Sequence, residues 1–391
     1  MKQVNKFYWA SFLKNQTYFT PILILFLQFH HLDFRQVFWV FTIGSIFNFI
    51  IEIPTGVLAD LYGKKKSIVL AKFLIFVSFV VFGFSTSFWF FVLAQLLYEL
   101  GQSFRSGTET AYTYDYLQQN STDNPSYTEV KGKQKFYARV GESLAAAIGG
   151  LTAKYLGYNM VFFLAAIPAL INFFMNLTWV NIKESQTAIN FKNSYQHILD
   201  SLRQFKNSSL LIITLNITIF TGVLAAMSKF IQPYMTKAGI PIALIGFIYS
   251  IALGLTAIIV RYSYLLENKF GERKTINTIS ALAIIPALII GLGYSSIIGV
   301  GFFFLIIIAE NLRSPIANSV FHSLATNKER ATLGSLLELI KNLGKIIILP
   351  LAGYLADTWS MATAILLLSG LLMINSFFFF IKKNNSQITA T

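Results

Sequence analysis

The stretch Gly56-Val57-Leu58-Ala59-Asp60-Leu61-Tyr62-Gly63-Lys64-Lys65-Lys66 decides how this chain is read. It sets one carboxylate and two glycines directly before three lysines, between two long apolar runs. Such a segment reads as a short, tight, positively charged loop joining two membrane helices. A lysine run beside a span is also an ordinary orientation signal. The fixed spacing of Gly56, Asp60 and Gly63 around it asks for a second explanation.

The rest of the chain fits membrane surroundings. Hydrophobic residues make up 55% of it, charged residues only 12%, and Phe alone occupies 38 positions. Mean hydropathy is +0.59, and a soluble protein of 391 residues could not hide that much apolar surface. No Cys occurs, which excludes a disulfide framework, a thiol catalyst and a thiolate metal site. Met1 to Lys6 lack a following small-residue cleavage site, and the first apolar run holds Pro21 and Gln28, so it reads as a retained span.

Runs long enough to cross about 30 Å of hydrocarbon as helices number twelve: roughly 7–29, 37–59, 67–84, 88–115, 134–157, 160–180, 209–230, 242–264, 275–294, 297–324, 332–356 and 361–381. The net charge of +14 sorts by loop rather than into a nucleic-acid patch. With the N-terminus in the cytoplasm, Lys64 to Lys66, Lys131, Lys133, Lys135, Lys183, Lys192, Arg203, Lys206, Lys269, Arg273, Lys274, Lys328, Arg330, Lys382 and Lys383 fall on that side. Opposite them lie little more than Arg35, Lys154 and Lys237. This is the positive-inside bias, and it puts both termini in the cytoplasm. The polar stretch Asn181 to Ser209 divides the chain into bundles 1–180 and 209–391, joined by a linker at 181–208. Phe191, Tyr195, Ile198, Leu199 and Leu202 recur there at helical spacing, as in an amphipathic helix on the inner membrane surface.

The two bundles resemble each other. Gly141 and Gly150 in the fifth run match Gly344 and Gly353 in the eleventh, and Gln102, Arg105 and Ser106 match Glu310, Arg313 and Ser314. Asn268 to Lys274 is a weakened copy of the opening segment, without an acid at the Asp60 position. A six-helix repeat implies a duplicated architecture with a cavity between its halves.

On these residues the chain resembles the major facilitator superfamily along nearly its whole length. Gly56, Leu58, Ala59, Asp60, Gly63 and Lys64 to Lys66 fit that family's signature loop between spans two and three, although the usual Arg after the Asp is Leu61. The resemblance implies an all-α integral membrane protein of twelve helices in two pseudo-symmetric bundles. It implies a conformational gate at Gly56, Asp60, Gly63, Lys64 and Asp115, in which Asp60 meets the positive end of a neighbouring helix dipole on span eleven and Asp115 pairs with Lys64. The network would hold the outward-facing state. The fifth span resembles the family's antiporter motif at Gly141, Gly149 and Gly150, but Ala145-Ala146 replaces its central Gly-Pro. Small residues at this spacing also let two helices approach closely, which close packing alone explains.

Charges inside the spans point to the cavity, because each costs several kcal/mol facing lipid. Glu99, Gln102, Arg105, Ser106, Glu109 and Thr113 share one face of the fourth run, read as a continuous helix. Arg105 and Glu109 can pair on it, while Glu99 has no obvious local partner. Glu99, then Glu52, and with them Glu109, are the candidates for proton coupling. Arg139 with Glu142, Glu310 with Arg313, and Glu338 with Lys341 can pair, leaving Lys229 and Lys345 without sequence-local partners. Excess cations suit an anionic cargo; unpaired carboxylates with abundant Phe and Tyr suit a lipophilic cation. The aromatic content reads chiefly as lipid-facing bulk.

His30, His31, His197 and His322 are scattered, which argues against a metal site. No Gly-rich phosphate loop or nucleophile elbow occurs, which argues against an ATP-driven pump or an enzyme. The sequence thus predicts a secondary transporter of the inner membrane, driven by the proton gradient without a bound cofactor. It would act as a monomer, exporting a small organic molecule such as a drug, metabolite or siderophore. Proton symport of a nutrient is the alternative, and a non-transporting membrane sensor the alternative of another class.

Overall fold

The computed structural model describes residues 2–120, 125–183, 208–293, 297–324 and 330–378. The expected amphipathic helix through Phe191 and Leu202 lies outside the described residues, as do His197, Lys192, Arg203, Lys206, Lys328, Lys382 and Lys383.

All regular structure among the described residues is helical. In chain order the helices are α1 (Gln3–Lys14), a 3-10 turn (Thr20–Ile22), α2 (Leu23–Phe29), α3 (Phe34–Tyr62), α4 (Lys64–Phe84), α5 (Phe88–Arg105), α6 (Thr108–Gln119), α7 (Tyr127–Tyr155) and α8 (Met160–Leu177). There follow α9 (Ser208–Lys237), α10 (Ile242–Arg261), α11 (Ser263–Phe270), α12 (Glu272–Gly291), α13 (Ile297–Leu324), α14 (Arg330–Thr358) and α15 (Met361–Phe378). Nine of them, α3, α4, α8 to α10 and α12 to α15, are long and apolar enough to cross a membrane.

The three remaining runs depart from simple spans for local reasons. In the first, the chain leaves the helix at Asn15 and turns through Pro21 before α2 begins. The fourth is not the continuous helix expected. Ser106 is extended and Gly107 has φ +71°, which glycine adopts without a Cβ penalty, so α5 ends and α6 restarts. The fifth, α7, is one helix of 29 residues that carries Lys131, Lys133, Lys135, Arg139 and Glu142.

The chain divides into two compact units, Met1–Phe191 with Met235–Leu255, and Lys192–Tyr234 with Thr256–Thr391. The division expected at 181–208 is therefore crossed by residues 235–255, most of α10. These pack in the first unit because glycines let backbones meet: a Cβ at Gly150 would lie 2.9 Å from Gly246 N. Ser143 and Ser250 hydroxyls lie 2.8 Å apart along the same seam.

The signature segment forms the turn between α3 and α4. Gly63, at φ +98°, ends α3 with its N–H on the Ala59 carbonyl at 3.1 Å. Gly271, at φ +77°, repeats this between α11 and α12 with its N–H on Glu267 O at 2.8 Å. The duplication extends to packing, since a Cβ on Gly141 would lie 2.6 Å from the Phe12 carbonyl and one on Gly344 would lie 2.7 Å from the Thr218 carbonyl.

Large exposed apolar side chains, such as Trp89, Phe84 and Phe377, suit contact with lipid. The reading of the aromatics as lipid-facing bulk needs correction beyond these. Phe7, Phe26, Phe38, Phe91 and Phe162 are fully buried. Phe162 stacks on Phe19 at 4.9 Å and on Phe82 at 5.0 Å, so phenylalanines form much of the first unit's core.

Candidate functional site

In the first unit, the break at Gly107 puts Glu109 in the first turn of α6, where the helix dipole favours a carboxylate. Three cations from three helices converge on it. Arg105 Nη1 from α5 lies 3.3 Å from Glu109 Oε2, Lys14 Nζ from α1 lies 3.5 Å from the same oxygen, and Lys72 Nζ from α4 lies 3.5 Å from Oε1. Arg105 is also held by Gln102, with Nε to Oε1 at 2.9 Å. Glu109 and Lys72 are buried. Beside them lies a cavity of about 30 Å³, lined among others by Lys14, Thr17, Lys72, Tyr98, Gln102 and Asn172.

Sequence reasoning misses Lys14 and Lys72. Lys72 carried the same signal used for the fourth run, a charge inside an apolar stretch. The polar face expected on that run is correspondingly divided: Glu99, Gln102 and Arg105 lie on α5, while Glu109 and Thr113 lie on α6 and Ser106 is exposed between them.

Glu99 has a local partner after all, since Gln95 Nε2, one turn earlier, donates to its Oε1 at 2.7 Å. Glu52 is half-buried in α3, close to Pro54. At the signature turn, Lys64 Nζ pairs with Asp115 of α6, each side chain about a quarter exposed. Asp60 and Gly56 are exposed. In the repeat, Glu272 stands where Lys64 does, and its Oε1 accepts from Ser319 Oγ at 2.6 Å. The turn is thus duplicated in backbone, with the charge reversed at the position after the glycine and kept basic at the next two, Arg273 and Lys274.

In the second unit, Arg313 of α13 is fully buried. It does not pair with Glu310. Its Nε donates to Ser280 Oγ at 2.7 Å, its Nη2 donates to Asn216 Oδ1, and its face lies 4.0 Å from the Phe220 ring centroid. The rigid guanidinium fork reaches these two acceptors on α12 and α9, whereas Glu310 sits one turn back on its own helix. A cavity of about 230 Å³ opens here, and Glu310, Arg313, Asn318, Glu338, Lys341 and Lys345 are among its lining residues. Lys341 pairs with Glu338 at 2.7 Å. Lys345 has a sequence-local partner, donating to Asn342 Oδ1 at 3.2 Å. Lys229, half-buried on α9, is not among the lining residues.

On α7, Arg139 pairs with Glu142 at 2.6 Å on a largely exposed face, and neither lines either cavity. Gly141 and Gly149 face the first segment: a Cβ on Gly149 would overlap the Tyr18 carbonyl, just where α1 has ended. The irregular stretch Asn15 to Phe19 and the glycine face of α7 therefore fit each other.

Comparison with known proteins agrees with this architecture. The sequence profile of the Major Facilitator Superfamily matches residues 8–309 and 262–390. The uncharacterized MFS-type transporter YxaM of Bacillus subtilis (strain 168) is 20% identical over 374 residues, covering 91% of this chain and 89% of that protein. Among solved structures, the nucleoside transporter NupG superposes with a TM-score of 0.83 at 15% identity, over 98% of this chain and 100% of that one. A D-xylose-proton symporter superposes with a TM-score of 0.75 at 12% identity, over 97% of each chain. With a duplicated helical scaffold, the signature turn and a profile match over most of its length, the chain belongs to the Major Facilitator Superfamily of membrane transporters.

Proposed function

We propose that the protein exports a small organic molecule in exchange for protons, working by alternating access as a monomer in the inner membrane with both termini in the cytoplasm. The observation that carries this reading is the cavity of about 230 Å³ in the second unit. Buried polar groups in a membrane span are costly and normally serve a path for solute or ion. Here Glu310, Arg313 and Lys341 face a space of small-molecule size rather than one another alone. The glycine pattern of α7, similar to the family's antiporter motif, supports export. Glu109, engaged by three cations, serves as their counter-ion, which leaves Glu99 and Glu52 as the groups proposed to carry the proton.

Proteoliposomes with an imposed pH gradient test this. Proton release from the high-proton side, driven by addition of a cargo to the other side and abolished in Glu99→Gln and Glu52→Gln together, is the expected result. Co-movement of proton and cargo in the same direction would replace export by symport, and transport insensitive to the gradient would remove the coupling.

A further inference from the structure

We propose that Lys14, Lys72 and Arg105 in the first unit bind an oxyanion group, a carboxylate or phosphate, so that the transported molecule is a small organic anion. This rests on the transporter reading and adds the charge of the cargo.

The charge balance is the first argument. Three cations surround one buried carboxylate, which leaves two positive charges; Lys72 is out of water, while the side chains of Lys14 and Arg105 are 28% and 23% exposed. An uncompensated buried charge costs several kcal/mol, and an anion entering the cluster would supply the balance. The distances are the second. Charge-assisted N–H···O bonds run about 2.7–2.9 Å, yet the three contacts to Glu109 are 3.3 to 3.5 Å. No cation is fully engaged by that carboxylate. Lys72 is the extreme case, with 3% of its side chain exposed and no hydrogen-bond partner for Nζ. An ammonium has three donors to satisfy.

The space beside it is the third argument. The cavity of about 30 Å³ against Lys14 and Lys72 is above the roughly 10–15 Å³ that a single water needs, so it has room for a small polar head group and leaves the remainder of a ligand outside. Its other polar lining, from Thr17, Tyr98, Gln102 and Asn172, can donate hydrogen bonds and adds no carboxylate.

The repeat supplies the fourth. With Gly63 matched to Gly271 and Arg105 to Arg313, Lys72 corresponds to Ser280 and Glu109 to Ala317. With Phe12 matched to Thr218 through the glycine contacts, Lys14 corresponds to Phe220. The scaffold therefore folds without cations at the Lys14 and Lys72 positions, and these two lysines are particular to the first unit.

Thermal unfolding of the full-length protein in detergent decides the matter. The probes are citrate, glucose 6-phosphate and 4-aminobenzoate at 5 mM, against glucose and tetraphenylphosphonium, in wild type, Lys72→Met and Lys72→Ser. At least one oxyanion should raise the wild-type midpoint by about 3 °C, with binding roughly tenfold weaker in the variants. Without ligand the variants should unfold no lower than wild type, because they lose a cation that Glu109 does not fully engage. A clearly lower midpoint in both variants would make Lys72 a structural ion partner and overturn the proposal. So would equal binding of every oxyanion in wild type and variants, or no oxyanion shift at all. Stabilisation by glucose or tetraphenylphosphonium alone would overturn the anionic cargo while leaving transport itself standing.

Discussion

Arg105 and Arg313 occupy one position of the repeat and are held by opposite means. Arg105 has Gln102 and the Glu109 carboxylate, whereas Arg313 has Ser280, Asn216 and the face of Phe220. A planar guanidinium can do both because its donors fan out in a fixed fork and its faces are weakly hydrated. Arg313→Lys should therefore lower stability by about 1–2 kcal/mol, since an ammonium cannot bond both oxygens and lie flat on the ring. A thermal midpoint in detergent within error of wild type would show that the fork does not matter. The Glu109 position is more sensitive. Glu109→Gln removes the counter-ion of three cations, and breaking such a buried arrangement costs about 3–5 kcal/mol. Adding Lys72→Met to Glu109→Gln should recover part of that loss, because one of the stranded cations goes with it. A double variant less stable than the single one would refute the charge account.

At the scale of elements, α7 offers its own internal control. A Cβ on Gly149 would overlap the Tyr18 carbonyl and one on Gly141 would lie 2.6 Å from the Phe12 carbonyl, whereas nothing lies within 4 Å of a Cβ at Gly132. Gly149→Ala should cost about 1–3 kcal/mol through overpacking, while Gly132→Ala on the same helix should stabilise by up to about 1 kcal/mol. Size-exclusion profiles and thermal midpoints of the two variants check both signs. These glycines, the signature turn and the repeat were legible in the sequence because each is a spacing, and spacing survives without coordinates. The break at Gly107 was not, because one glycine in a long run reads as a tolerated helical residue and its positive φ is set by the structure. The role of Lys72 was hidden for another reason. Its partner Glu109 lies on a helix brought alongside by folding, whereas spacing within one helix shows only partners three or four residues apart. The same limit gave Glu310 to Arg313, where tertiary acceptors on α9 and α12 win instead.

For the whole molecule, orientation and gating are the properties that follow. α3 has 29 residues and so spans about 43 Å at 1.5 Å per residue, more than the roughly 30 Å of hydrocarbon. Arg35 and the lysine turn therefore lie on opposite sides of the membrane. The chain has no Cys, so Lys66→Cys and Arg35→Cys, both at exposed positions, give background-free labelling. An impermeant maleimide applied outside intact cells should label Arg35→Cys and spare Lys66→Cys; the reverse would invert the topology. The gate is tested at the same turn. Lys64 and Asp115 are 22% and 26% exposed, and ion pairs so open to water contribute at most about 1 kcal/mol. Stability alone therefore gives little reason for transport to depend on them. If the pair and Asp60 hold one conformation of the transport cycle, Asp60→Asn and Asp115→Lys should each cut the transport rate severalfold while the amount of folded protein in the membrane stays unchanged. Exchanging the two charges in Lys64→Asp with Asp115→Lys preserves the net charge of the turn and the attraction across it, so transport should return toward the wild-type rate. A double exchange no better than Asp115→Lys alone would leave the basic cluster as an orientation signal and nothing more.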